Sequence, residues 1–441
     1  MAIAQRPPDG ANEPMKRALS YRWIIWSIMI LAFMVSFFHR LATGVVKEAL
    51  SADFTLSAAA FGNMASMYFY AYMIMQTPVG LLADTLGPRA TVTSGMLVAG
   101  AGALLFGLAP SVIWLFVGRF LVGIGVATVF VCIMKIQSQW FREGEFATLS
   151  GATSLLGNLG GILSQGPLAL LLTVISWRSG FVGIGAFTLL LSGLCWFFIR
   201  NRPQDMGLPP INERAMLRAS ADPADTPPVL QGVKAVFGSK GMAATALFYF
   251  FNQAALYALL STWGIPWLTN AYGFSLPSAS SYAVLLILGV MVAGPLLGWL
   301  SDRHCRRKYL MIALSAFHLA LWVLLLLLGP GGIPPGVWLG LFLFLTGVTS
   351  TTFVLAWSVA KDINSERFTG LAISVVNTAG FLGTALCTSF IGVLIDRFTA
   401  LPPPQAYHNA LVLPAGAALL ALFCACFLPE AGGGRSKESD R

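Results

Sequence analysis

The chain alternates long apolar runs with short polar connections, and the runs recur from one end to the other. A helix crossing about 30 Å of hydrocarbon needs roughly 20 mainly apolar residues. Twelve runs reach that length, at residues 21–50, 58–83, 90–109, 112–138, 146–174, 180–199, 241–270, 279–301, 308–328, 335–360, 367–395 and 406–428. The pattern predicts an all-α polytopic membrane protein with twelve transmembrane helices. The first run is too long for a signal peptide and no small-residue cleavage site follows it, so it reads as a span. The one long polar connection, residues 201–240, is rich in Pro and Asp. It divides the chain into a six-helix bundle over 21–200 and a second over 241–428, with polar tails at 1–20 and 429–441.

Composition agrees with the pattern. Of 441 residues, 56% are hydrophobic and 10% charged, where a soluble domain carries about 25% charged residues. The 27 basic and 18 acidic residues leave a net charge of +9. A basic excess points to nucleic acid only when it forms a solvated patch. Here the charges sit singly between apolar runs, so the partner is the lipid bilayer and nucleic acid is excluded. The six cysteines (Cys132, Cys195, Cys305, Cys387, Cys424, Cys426) have neither metal-ligand nor disulfide-framework spacing. No phosphate-binding loop, GxSxG or HExxH is present. The sequence therefore predicts no enzyme, no cofactor and no metal.

Lys and Arg in the loops set orientation. Lys47, Arg178 and Arg397 fall on one side of the membrane, and Arg40, Arg119 and Lys135 fall within spans. All the other basic residues lie on the side of the termini. Both termini are expected in the cytoplasm, and the short loops fit a bacterial inner membrane.

The halves repeat. Gly80-Leu-Leu-Ala-Asp84-Thr-Leu-Gly87-Pro-Arg89 follows span two, and Gly298-Trp-Leu-Ser-Asp302-Arg-His-Cys-Arg306-Arg307-Lys308 follows span eight. Glu143, Gly157 and Gly160 on span five recur, at a constant interval, as Glu366, Gly380 and Gly383 on span eleven. Paired six-helix halves around a mid-membrane site are a known transporter plan.

At these residues the chain resembles the major facilitator superfamily. Gly80–Arg89 carries the whole G-x-L-A-D-x-x-G-x-R loop, and the copy at Gly298–Lys308 has lost its second glycine. Arg119-Phe-Leu-Val-Gly123-Ile-Gly125 is similar to the R-x-L-x-G-x-G motif of span four. The resemblance implies two six-helix repeats around a central cavity lined by spans one, four, seven and ten. It also implies that Asp84 holds the N-terminus of span eleven as part of a cytoplasmic gate. Arg89 and Arg142 would complete that gate, with Asp302 in the corresponding place of the second half. A loop-capping role is the plainer reading of Asp84. Pro203-Gln-Asp-Met-Gly207-Leu-Pro-Pro210 resembles the exit of span six in the organic anion:cation symporter and organophosphate antiporter branches. Arg40 aligns with the span-one arginine that grips phosphate in the antiporters, but Tyr257 stands where they carry a second arginine. One carboxylate fits this chain better than a phosphate dianion.

A charge at the bilayer centre costs at least about 2.5–3.5 kcal/mol and marks function by default. The three intramembrane charges are all basic. Glu48, Asp84, Asp302, Asp362 and Asp396 sit at span ends. Uncompensated positive charge suits an anionic substrate. Arg40 is expected to bind it, with Thr43, Gly44 and Lys47 on its face at i+3, i+4 and i+7; the alternative is an arginine snorkelling to the interface. His39, turned about 100° away, reads as a proton relay or as a bond within the bundle. Lys135 reads as a substrate contact or as half of an ion pair. Arg119 lies about 160° around the helix from Lys135, so the two do not face one cavity on a straight helix. Its place in the span-four motif implies, by resemblance, gating or proton coupling, with a substrate contact as the alternative. Asn252, Gln253 and Tyr257 form a polar-aromatic stripe that either contacts substrate or bonds between helices. Thr349–Thr352 form a further polar cluster, Asn158 and Asn377 serve close packing, and Pro78, Pro167, Pro266 and Pro295 kink helices.

The expected protein is a monomeric secondary transporter that takes up a small organic anion by proton symport or exchange. An efflux pump or amino-acid carrier of the same fold is the nearer rival, and a transport-dead receptor or scaffold the more distant one.

Overall fold

The computed structural model describes residues 12–212, 229–304, 307–365 and 368–430, and these contain no strand. In the first half, α1 spans Asn12–Leu41, α2 Lys47–Phe54, α3 Ala58–Thr85, α4 Gly87–Gly107, α5 Val112–Trp140, α6 Glu143–Leu163, α7 Gly166–Leu171 and α8 Trp177–Phe198. A short α9, Val229–Gly238, precedes α10 at Met242–Tyr257, a π-helical segment Ala258–Trp263 and α11 at Gly264–Tyr272. Then follow α12 Leu276–His304, α13 Arg307–Leu328, α14 Val337–Ser350, α15 Phe353–Asp362, α16 Thr369–Arg397, α17 Pro403–Ala410 and α18 Val412–Cys426.

Among the described residues, eleven helices or broken helices are long and apolar enough to cross a membrane. The twelfth span is α3, whose 28 residues include three tyrosines, Gln76 and Asp84. It packs against α5 on one side and α16 on the other, so it faces protein more than lipid.

Helix ends follow local chemistry. Ser57 Oγ accepts from the Ala60 N–H and starts α3. Glu145 accepts from the Arg142 N–H and starts α6. Gly87 opens α4 at φ +82°, a conformation that favours glycine. The Asn201 side chain lies against it and accepts from the Arg89 N–H at 2.8 Å.

Two differences from the sequence reading place the site. Span one was expected at 21–50, but α1 runs from Asn12 to Leu41. Beyond it, Gly44 sits so tightly on the Thr262 carbonyl that a Cβ would lie 2.8 Å from it. Span seven is not one regular helix, because the π segment interrupts it one residue after Tyr257.

Helices pack mostly within each half: α4 on α5 and α8, α1 on α6, α10 on α16 and α18, α12 on α14. The repeated glycines do the same task in both. A Cβ on Gly157 would meet the Phe33 ring of α1, and one on Gly380 would meet the Tyr249 ring of α10. The main contact between halves is α3 on α16.

Candidate functional site

Arg40 lies in the last turn of α1 and is buried, with 8% of its surface exposed. Four aromatic rings surround its guanidinium carbon: Phe37 at 4.8 Å, Tyr72 at 5.2 Å, Phe381 at 5.5 Å and Tyr257 at 5.9 Å. They come from α1, α3, α16 and the end of α10, so both halves contribute. Arg40 Nε donates to the Tyr68 hydroxyl at 3.4 Å, and that hydroxyl donates to the Ser36 carbonyl. Among the described residues Arg40 has no salt bridge. The ring faces stabilise the cation but leave its charge uncompensated.

Arg119 is buried on α5 and shares Tyr68, whose ring centroid is 5.0 Å from its guanidinium carbon. Its Nη1 donates to the His39 carbonyl at 2.9 Å, while Nε and Nη2 find no partner among the described residues. The His39 ring points away from Arg40. Its Nε2 lies 3.3 Å from Thr188 Oγ1 on α8, and that hydroxyl donates to the Ile184 carbonyl. The His39 ring is thus bonded within the first half, to α8.

Thr43 and Lys47 do not extend the Arg40 face as the helical spacing predicted, because α1 stops at Leu41. Thr43 is buried beside the 3₁₀ turn Gly44–Val46, its hydroxyl without a partner among the described residues. Lys47 pairs with Glu48 at 3.0 Å and lies over the Tyr407 ring. Its burial disfavours the charge, but Tyr407 and Glu48 outweigh that and hold its pKa above the ordinary lysine value.

On α10 the stripe divides. Asn252 turns into its own half and donates to Thr352 Oγ1 at 3.0 Å, which also absorbs part of the Thr349–Thr352 cluster. Gln253 Nε2 donates to the Tyr249 hydroxyl at 3.2 Å, and its Oε1 is buried without a partner among the described residues. Trp357 lies 6.0 Å from Tyr249, centroid to centroid, and donates to Asn377 Oδ1. Asn377 thus orients a tryptophan besides packing. Asn158 donates to the Ser154 carbonyl of its own helix.

Lys135 is not with Arg40. Its Nζ donates to Asp84 Oδ1 and to the Ala83 carbonyl, both at 2.6 Å. The cluster expected of Asp84 with Arg89 and Arg142 does not form. Arg89 donates to the Trp196 carbonyl and stacks on that ring, and the Arg142 backbone caps α6. Asp84 remains 74% exposed, and no described N–H of α16 reaches it. Asp302 sits in the last turn of α12, but its side chain, with Cys305, Arg306, Glu366 and Arg367, lies outside the described residues.

The opposite end of the α3–α16 contact was not read from the sequence. Asp396, in the last turn of α16, accepts from the Ala58 and Ala59 N–H groups of α3 at 2.9 and 2.8 Å. Below it Ser389 and Ser66 pair at 3.0 Å, and Ser66 donates to the Ala385 carbonyl. Trp263 of the π segment donates to the Thr388 carbonyl. Gln165, at the break between α6 and α7, donates to the Leu41 and Leu260 carbonyls and so joins the halves. The residues flanking Arg40 are thus sealed from this end. A cavity of about 600 Å³ lies outside the seal against Glu48, Asp53 and Trp177, and one of about 360 Å³ lies between α7 and α8; Arg40 lines neither.

The sequence profile of the Major Facilitator Superfamily matches residues 28–266 and 245–441. The chain is 26% identical over 413 residues to the hexuronate transporter of Bacillus subtilis, covering 89% of this chain and 91% of that one. It is 26% identical over 411 residues to a protein named probable sulfoacetate transporter from Cupriavidus necator, covering 90% and 93%. The fold matches a crystal structure of a bacterial homolog of the human lysosomal transporter Spinster, inward-facing and unoccupied. The TM-score there is 0.73 at 19% identity, over 92% of this chain and 96% of the other.

Proposed function

The chain belongs to the major facilitator superfamily, and from that premise we propose that it carries a small organic anion of the carboxylate type across a bacterial inner membrane. It is a multi-pass transporter and not an enzyme. In this reading both termini and the Asp84 end face the cytoplasm, where the Lys and Arg of the loops concentrate. Transport is uptake by proton symport or exchange, with the two halves rocking around the site so that it opens to one side at a time.

One observation carries the reading: Arg40 is a buried cation at the junction of the halves with no carboxylate beside it. A guanidinium fork matches a carboxylate bidentately, and an anion is what the site lacks. The printed names of the two relatives, which refer to a hexuronate and to sulfoacetate, support the same class. An amino-acid carrier would also need an acid to meet the ammonium group, and the spans hold none in their interior. Gln253 and Tyr257 complete the substrate site, with Asn252 supporting them from behind. Arg119 backs the site through Tyr68. Lys135 belongs with Asp84 in the gate.

The test is uptake of labelled mono- and dicarboxylates into proteoliposomes, with and without a pH gradient. Removing one partner of a buried charge pair costs about 2–5 kcal/mol. Arg40→Ala should therefore raise the anion's apparent KM about thirtyfold or more, and an unchanged KM would overturn the reading.

A further inference from the structure

The groups beside Arg40 also speak to the body that the carboxylate is attached to. Toward the Asp84 end, α1 presents Phe37 and Phe33 at i−3 and i−7 from Arg40, one above the other on a single face. Their rings lie 5.1 Å apart, and Phe33 stacks on Phe130 of α5 at 5.7 Å. Across from them α10 presents Tyr257, Gln253 and Tyr249 at four-residue steps, with Trp357 and Phe353 behind Tyr249 at 6.0 and 6.1 Å. Between the two walls Tyr72 and Phe381 stack at 4.3 Å and 28°. The rings recorded around the Arg40 guanidinium come from four different helices. Apart from the phenols, Gln253 has spare capacity next to Tyr257: its Oε1 accepts nothing among the described residues and its surface is 8% exposed. Asn252 gives its Nδ2 to Thr352, and its Oδ1 likewise finds no partner among the described residues.

A polyhydroxylated acid would press several hydroxyls onto phenylalanine faces, where they lose water without gaining partners. A flat apolar ring loses nothing and gains offset-stacked and edge contacts. We propose that the transported anion is an aryl carboxylate of the benzoate class. Its carboxylate lies on Arg40, its ring between the Phe37 and Tyr257–Tyr249 walls, and a polar ring substituent is read by Gln253. This rests on the anion reading above and narrows it to a class that the names of the relatives do not suggest.

Isothermal titration of the detergent-purified full chain at pH 7.5 with benzoate, cyclohexanecarboxylate and glucuronate tests it. Benzoate is expected to bind at least about tenfold tighter than glucuronate, and tighter than cyclohexanecarboxylate. Phe37→Asn should weaken benzoate about tenfold while leaving glucuronate unchanged or better bound. Glucuronate binding as tightly as benzoate, with both lost in Arg40→Gln, would overturn the aryl class and leave the anion reading standing. If none of the three binds and labelled mono- and dicarboxylates are not taken up by proteoliposomes, both fail. A folded Phe37→Asn protein that binds benzoate like the parent also overturns the proposal.

Discussion

At one end of the interface between the halves, a carboxylate in the last turn of α16 caps the first turn of α3. At the other end, a carboxylate in the last turn of α3 caps nothing on α16. Asp396 and Asp84 are reciprocal in position, yet Asp396 holds two backbone N–H groups and Asp84 holds Lys135. Glycines along the two helices show the same split. A Cβ on Gly62 would lie 2.7 Å from the Thr388 carbonyl, and one on Gly392 would strike the Ala58 carbonyl, whereas Gly80 and Gly370 have nothing within 4 Å. The lesson is that the latch is generic. A helix N-terminus attracts a carboxylate through its free N–H groups and its dipole, and the chain supplies that pair at both ends. Under the proposed rocking of the halves, rigid helices crossing at the site would let one pair engage only as the other parts.

The sharpest way to break this contrast is to remove the engaged latch. Hydrogen bonds to a charged group contribute about 1.5–3 kcal/mol each, and Asp396→Ala removes two. The equilibrium between the two closures should shift on the order of a hundredfold. A Thr388→Cys reporter in a cysteine-free background reads this directly, because Thr388 is buried under the seal. A membrane-impermeant maleimide added from the Asp396 side should label it rapidly in Asp396→Ala and slowly in the parent. Equal rates would mean that the carboxylate does not hold the seal.

A smaller effect separates the glycines. Gly392→Ala forces α3 and α16 apart and should lower the melting temperature by a few degrees, as overpacking costs about 1–3 kcal/mol. Gly80→Ala meets empty space, so the melting temperature should hold or rise slightly, as Ala is worth about 0.5–1 kcal/mol over Gly inside a helix. The same substitution should slow transport, because Gly80 has to be approached when its end closes. If Gly80→Ala and Gly392→Ala destabilise equally, the two ends do not differ in the way the packing indicates.

Much of this fold was legible because run length and loop charge are properties of a single chain. Among the described residues each of the twelve apolar runs is mostly helical, since hydrocarbon leaves backbone groups no partner but their own helix. The boundaries were less legible. Polar residues such as Glu13, Lys16 and Arg17 extend α1 beyond its apolar run, and the π segment adds one residue to a turn without any mark in composition. At the site, Arg40 stood out because charge is rare inside a span. Its partners did not. Tyr72 and Phe381 come from different halves, and helical spacing relates residues only within one helix. The run Tyr68-Phe69-Tyr70-Ala71-Tyr72 was the available signal, being polar-aromatic inside a span. Asp396 was seen at a span end, but its role depends on α3 arriving beside it. For Lys135 the ion-pair alternative is the one the structure draws, but its partner was not legible, since nothing along the chain says that α5 brings it to Asp84.

The smallest effect concerns the idle latch. Lys135 competes with α16 for Asp84, but the carboxylate is mostly exposed, and an exposed pair is worth about 0–1 kcal/mol. Lys135→Met should therefore favour closure at this end by no more than about fivefold. The helix N-terminus then becomes the best remaining partner for the freed carboxylate. Gly370→Cys, exposed in the first turn of α16, should be labelled somewhat more slowly in Lys135→Met. Asp84→Asn should erase that difference, because a neutral amide gains little from the dipole. If labelling of Gly370→Cys instead speeds up in Lys135→Met, the lysine is part of the closing machinery rather than a competitor, and the symmetry between Asp84 and Asp396 ends at their positions.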